Sequence, residues 1–269
     1  MSASFDASEI GQTEQRPLAG ITLKILSTIV FVIMAAMVKQ LSGDVPTGEI
    51  VFARNFAGMV PVLVWMMWQR RLLSSIRTTR PFGHFFRSFI GVTAMTLNFA
   101  ALAYIPLPDA TAISYAAPLM TVVLAVFVLG EVVGIYRWSA VGVGFFGVLI
   151  ILYPHLGTTD MHGDTAFGAL LAFIGTIFMA LAAIIVRKLI LTERSATIVL
   201  WFSGSSSVMA LMTLPIGWAW PSWAWVMPDP QQWVLLVATG LVGGWGRFSS
   251  PRAIATPTPR RSRPSTTRR

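Results

Sequence analysis

Eight apolar stretches follow one another along the chain, at 20–41, 47–68, 82–104, 108–129, 136–153, 166–186, 196–214 and 231–248. Each approaches the roughly 20 residues needed to cross a lipid bilayer as a helix. In lipid every backbone polar group must be satisfied internally, so runs of this length are expected to be helices. A soluble alternative, a large buried helical core, would need amphipathic outer helices to cover it, and none is visible. The composition agrees: only 12% of the residues are charged, about half the density of a soluble domain. The expected fold class is all-α and integral to the membrane.

Loop charges orient the spans. The connection after the second span is assigned Arg70, Arg71, Arg77, Arg80 and Arg87, the one after the fourth Arg137, and the one after the sixth Arg187, Lys188 and Arg194. The alternate loops, 42–46, 105–107, 154–165 and 215–230, carry no Lys or Arg. Basic loops stay in the cytoplasm, which places the N-terminus there and the protein in the inner (cytoplasmic) membrane. Trp218, Trp220, Trp223 and Trp225 cluster in the last outer loop, as an aromatic belt would.

The net charge of +9 suggests an affinity for nucleic acid that the distribution does not support. Seven of the twenty Lys and Arg lie at or beyond Arg247; without those seven the charge falls from +9 to +2. Nucleic acid is therefore not an expected partner, whereas membrane lipid is. Residues 1–19 are polar, include Asp6, Glu9 and Glu14, and lack the basic start and small-residue cleavage site of a signal peptide; they read as a soluble tail. With no cysteine, disulfides, zinc thiolates and thiol catalysis are excluded.

The segment Leu97–Glu131 is the most informative locally. Two apolar runs meet at Pro106-Leu107-Pro108-Asp109, the second carries Pro118 in its middle, and it ends at Gly130-Glu131. Thr111, Ser114, Tyr115 and Pro118 follow helical spacing and share one face. Pro118 removes a backbone donor and frees a carbonyl one turn earlier. This face, with Asn98 and Tyr104 on the preceding span, is a candidate cavity wall; ordinary interhelical hydrogen bonding is the alternative. Lys39, Glu49 and Arg54 are ionisable groups near membrane depth, which tend to pair or to face a cavity. For Lys39 and Glu49, near span ends, snorkelling to the interface is an equal alternative; Arg54, about two turns in, points to a cavity or an ion pair.

Other motifs resolve into structure. Gly142, Gly144 and Gly147 match a dinucleotide-binding spacing but sit inside an apolar span, where close helix packing is the expected role. His155, Asp160, His162 and Asp164 form a polar loop cluster without compact ligand spacing, so no metal is expected. No clustered catalytic set or phosphate-binding loop stands at a water-accessible position, so neither enzyme activity nor a cofactor is expected. A weak repeat links Val38-Lys39-Gln40-Leu41, with Ile50-Val51 following, to Val186-Arg187-Lys188-Leu189, with Ile198-Val199 at the same distance. Five spans separate the copies, which inverts the second relative to the first.

The segment 98–131 (A-L-x-Y-I-P-L-x-x-A-T-A-I, a mid-helix proline, then L-G-E) resembles the EamA domain of the drug/metabolite transporter superfamily. The resemblance extends to Glu49-Ile50-Val51-Phe52-Ala53-Arg54 and to Thr239-Gly240-Leu241-Val242-Gly243-Gly244 and covers about 20–246. It implies ten helices in two inverted five-helix repeats and alternating access around a central cavity. The substrate would be a small metabolite or drug; some members resemble importers of S-adenosylmethionine. On that pattern 20–153 is a complete first repeat of five helices and 166–248 a second repeat of three. A proton or cation for coupling and a second copy of the chain are further partners to be tested.

From Arg247 the apolar pattern stops, and 249–269 is a Pro/Ser/Thr/Arg-rich stretch whose bias reads as disordered. Shifting its reading frame by one base allows L-L-T-E-S-Y-R-Y over Ser249–Thr256, Y-R-Y-A-D-A over Ile254–Pro259 and A-P-F-D-Y-T over Arg263–Arg268, together a counterpart of the Ala101–Pro118 hairpin. The expectation is an out-of-frame tail; a genuine short basic tail is the rival. Without helices nine and ten, Arg54 and Thr111 would face lipid or a second subunit. The two functional readings are thus a secondary transporter in truncated form and a non-transporting scaffold or defective product.

Overall fold

The computed structural model describes residues 17–70, 76, 78–156, 164–219 and 224–248. Their order is α1 (Pro17–Leu41), α2 (Thr47–Trp68), α3 (Pro81–Tyr104), α4 (Leu107–Ser114), α5 (Ala116–Leu129), α6 (Ile135–Leu156), α7 (Asp164–Ile190), α8 (Ser195–Leu211), α9 (Ile216–Ala219) and α10 (Pro230–Phe248). There is no strand among the described residues. Among the described residues five segments are long and apolar enough to cross a membrane: 47–68, 81–104, 107–129, 164–190 and 195–219. Ile25–Leu41 and Ile135–Ile150 are shorter apolar helices. This is an all-α, multi-pass membrane protein. Each expected span has its helix; α1 starts at Pro17, inside the stretch read as a tail. The frame-shift reading of 249–269 lies outside the described residues.

The fourth span is two helices. Pro118 offers no N–H to the Ser114 carbonyl, and the helix breaks one turn before the proline, at Tyr115. At the far end Gly130 takes a left-handed conformation (φ 66°), donates to the Val126 carbonyl (3.1 Å) and stops α5. The Gly-Glu of the motif thus has a physical role: glycine terminates the helix, and Glu131, just past it, reaches Arg187 at the end of α7 (3.3 Å).

Helix pairing follows the small residues. A Cβ on Gly58 of α2 would stand 2.9 Å from the Gly240 carbonyl of α10, and one on Gly244 would stand 2.8 Å from the Gly58 carbonyl. The two backbones therefore touch, which only residues of this size permit. α3 lies along α7, with Gly175 accepting the Asn98 side chain against its backbone. Within the 142–147 glycine pattern only Gly144 serves packing, receiving Leu119 of α5; Gly142 and Gly147 face open space. The dense core sits at the end of the bundle where the α1–α2 and α3–α4 turns meet, built from Val38, Leu41, Ile50, Leu102, Ile105 and Ile113. Elsewhere large apolar side chains point outward, among them Phe82, Phe127 and Phe146, as a lipid-facing surface requires.

Arg87 is no loop residue. It lies in the second turn of α3, its guanidinium 4.1 Å from the centroid of the Phe202 ring on α8. The ring face compensates part of the cost of holding that charge against the bundle. The connections at this basic end are also clasped. Glu193, between α7 and α8, accepts the Thr78 hydroxyl (2.8 Å), the Thr79 N–H (3.0 Å) and the Thr79 hydroxyl (3.0 Å). Burial alone would raise the Glu193 carboxyl, but these three donors and the nearby His84 hold it below its ordinary value.

Candidate substrate cavity

The first three turns of α2 carry the polar chemistry. Glu49 is buried at 6% exposure in the first turn, and one carboxylate oxygen accepts the Val226 N–H (3.2 Å) from the segment that precedes α10. It lines a cavity of about 480 Å³ whose other walls include Phe52, Phe56, Trp225 and Trp233. Phe52 and Phe56, four residues apart on one face, stack with centroids 5.4 Å apart, and Trp225 lies 5.3 Å from Phe52. The Trp225 indole N–H donates to the Thr213 hydroxyl (3.1 Å), which fixes the ring. Trp225 thus belongs to a cavity wall, whereas Trp218 is 85% exposed, as expected of an aromatic belt. Trp220 and Trp223 lie outside the described residues.

Arg54 points to the other side of α2. Its Nε lies 3.2 Å from the Met34 sulfur on α1, an Nη contacts the Met95 sulfur on α3, and the guanidinium carbon is 5.5 Å from the Phe99 centroid. Gly243 of α10 approaches close enough that a Cβ there would meet Arg54 Nε at 3.3 Å. The side chain is half-buried between α1, α3 and α10, not turned out to lipid. These soft partners accommodate a cation through polarisable sulfur and a ring face. Asn55, fully buried beside it, donates to the Val51 carbonyl (2.9 Å).

Thr111, Ser114 and Tyr115 do come together, as their spacing predicts. They line a cavity of about 270 Å³ with Ser27, Thr28, Phe31 and Val32 of α1. Thr111 donates to the Pro108 carbonyl (2.7 Å) and Ser114 to the Thr111 carbonyl (2.7 Å), so both hydroxyls spend their hydrogen on their own helix and present oxygens as acceptors. Pro118 acts through the break it causes and is itself exposed.

Three candidates hold the scaffold together. Lys39 donates to the carbonyls of Leu102 and Ile105 (3.1 Å to the latter), the groups left over where α3 ends. It caps a helix C-terminus, neither snorkelling nor standing free. Asn98 donates to the Ala94 carbonyl (2.8 Å) at the α3–α7 contact. Tyr104 is 41% exposed, its ring edge-on to Phe167 of α7 at 5.3 Å. Sequence reasoning missed His84, which is 1% exposed, stacks on Trp201 at 5.7 Å, and has no hydrogen-bond partner on either nitrogen among the described residues. Its only signal was a lone histidine in the first turn of an apolar span. No group of potential metal ligands exists among the described residues; of the loop cluster, His155 falls in the last turn of α6 and Asp164 opens α7, whereas Asp160 and His162 lie outside the described residues.

Comparison with known proteins adds to this geometry. The profile of the EamA-like transporter family matches residues 18–153, the half that holds Glu49, Arg54 and Thr111. The S-adenosylmethionine uptake transporter of Rickettsia prowazekii (strain Madrid E) is 29% identical over 88% of this chain and 76% of its own length. The pseudopaline exporter CntI of Pseudomonas aeruginosa (strain UCBPP-PA14) is 26% identical over 88% and 78%. A solved crystal structure aligns over 87% of this chain and 80% of its own with a TM-score of 0.58 at 18% identity, a likeness of fold.

Proposed function

This chain belongs to the EamA-like transporter family, and we propose that it carries a small metabolite across the cytoplasmic membrane by alternating access. It is a multi-pass membrane transporter and not an enzyme. The observation that carries the finer reading is the family match over 18–153, which spans both cavities' residues on α1, α2 and α4. In this reading the basic end faces the cytoplasm, and the two ends of the bundle open in turn around α2. Glu49, Arg54, Thr111, Ser114 and Tyr115 face the substrate, Pro118 shapes their helix, and Lys39, Asn98 and Tyr104 hold the frame. The chain is organised as a first repeat at 20–153 and a partial, inverted second repeat at 166–248. The buried Ile50 and Ile198, at matching places after α1 and α7, support that relation. A proton or cation gradient drives transport, and a second copy of the chain pairs with the first.

The relatives are named for an imported and an exported compound, so the test runs in both directions. The chain is reconstituted in liposomes, and flux of radiolabelled S-adenosylmethionine and a panel of small metabolites is followed inward and outward, with and without a pH gradient. Saturable flux above protein-free vesicles, reduced by Arg54→Gln, is expected. No flux of any compound in either direction would end the reading.

A further inference from the structure

We propose that the cavity at the start of α2 binds an organic onium cation, a quaternary ammonium or sulfonium group. The Glu49 carboxylate and the aromatic side chains of Phe52, Phe56, Trp225 and Trp233 would hold it. The proposal deepens the transporter reading by naming the substrate class; it rests on that reading for transport but not for binding.

Charge is the first argument. Glu49 is 6% exposed, and its only described partner is the Val226 N–H, a neutral donor on one oxygen. A carboxylate taken out of water without a counter-charge is costly, and no cation pairs with it among the described residues. Among the described residues Glu49 is also the only ionisable side chain lining the cavity. A ligand that supplied the positive charge would complete the pair.

The walls say which kind of cation. Phe, Trp, Met and Val side chains dominate them, and aromatic rings attract positive charge over their faces. A primary ammonium would need three hydrogen-bond acceptors, whereas this cavity offers the carboxylate and otherwise mostly apolar surface. An onium group asks for none: its charge is spread over a shell of methyl or methylene groups that suits apolar and aromatic contact, the known chemistry of aromatic cages. The volume, about 480 Å³, lies within the range that holds a small organic ligand. The walls are also preset. The Val226 and Trp225 hydrogen bonds pin the 224–226 segment against Glu49 and Thr213, and Phe52 and Phe56 are stacked on one helix face.

The test compares choline with 3,3-dimethylbutan-1-ol, its uncharged isostere, binding to the purified full-length chain in nanodiscs, followed by calorimetry and tryptophan fluorescence. Choline should bind about 10- to 30-fold more tightly than the isostere. Glu49→Gln, whose amide oxygen still accepts the Val226 N–H, should remove most of that preference and leave the isostere unchanged. Phe52→Leu should narrow it. Equal binding of the two by the unaltered chain, or binding of neither, overturns the proposal, and that comparison needs no variant to fold. Saturable metabolite flux without onium preference would sink this site and leave the transporter reading intact. Choline preference without flux of any compound would do the reverse.

Discussion

The two ends of the bundle are held by different physics. Where the α1–α2 and α3–α4 turns meet, the contacts are buried. Lys39 caps the last carbonyls of α3, Leu41 and Ile105 are each 1% exposed, and Glu49 ties α2 to the segment before α10. At the basic end the connections are tied by polar and more exposed contacts, Glu193 on the two threonines and Glu131 with Arg187 at 39% and 53% exposure, beside the buried His84–Trp201 stack and the Arg87–Phe202 contact that join α3 to α8. Exposed pairs contribute little, whereas buried polar groups are costly to strand. The basic end is therefore the one that should separate first if the helices rock.

The sharpest attack on that contrast is Lys39→Met. It keeps the apolar stem, strands the Ile105 carbonyl and leaves the Leu102 carbonyl only the longer Ser42 hydroxyl contact (3.3 Å), so a loss on the order of 1–3 kcal/mol is expected. Thermal unfolding in detergent measures it, and a loss below that of any basic-end variant would break the comparison. Gly48→Val comes next. A Cβ there would run into the Thr213 side chain that positions Trp225, and overpacking of this kind costs about 1–3 kcal/mol. Trp fluorescence should shift along with stability, because Trp225 loses its hydroxyl partner.

Much of the fold was legible because the bilayer writes it into single residues. The succession of apolar helices, the Pro118 break at Tyr115 and the Gly130 stop each depend on local chemistry and are present, although among the described residues only five segments, where eight were expected, are long and apolar enough to cross a membrane. The cavity between α1 and α4 was half legible: helical spacing put Thr111, Ser114 and Tyr115 on one face, but nothing in the sequence pointed to Ser27 and Thr28 across from them. The ionisable residues were the least readable. Glu49 finds its partner 177 residues away, and Lys39 finds carbonyls 63 and 66 residues on. Whether such a group caps, pairs or lines a cavity is decided by tertiary neighbours that periodicity does not encode. The same holds for Arg87, assigned to a loop by its charge and placed in a helix by the Phe202 ring.

At the basic end the effects are smaller and depend on pH. The folded state holds the Glu193 carboxyl below its ordinary value of 4.5, so its ionised form favours folding. That contribution is fully present above the unfolded value and fades as pH falls through the lower, folded one. Opening of the 78–79 and 193 connections, followed by limited proteolysis, should therefore be flat from about pH 6 to 8 and rise only below about pH 4.5. Glu193→Gln should show the raised cleavage at neutral pH, with no more than about 1 kcal/mol of global stability lost. Cleavage that climbs between pH 6 and 7 would assign the clasp to some other group.

The smallest expected effect is the most discriminating for the contrast between the ends. Glu131→Gln removes the charge from the residue that follows the Gly130 stop and leaves the Gly130 turn untouched. The Arg187 pair is more than a third exposed on both sides, so the change should cost between nothing and about 1 kcal/mol, less at high salt. Gly130→Ala, by contrast, forces a side chain into the left-handed region and should cost about 1 kcal/mol or more through strain alone. If Glu131→Gln proves the more damaging of the two in thermal unfolding, the pair contributes more than exposure allows. The basic end would then be as firmly tied as the other, and the asymmetry on which the opening order rests would be gone.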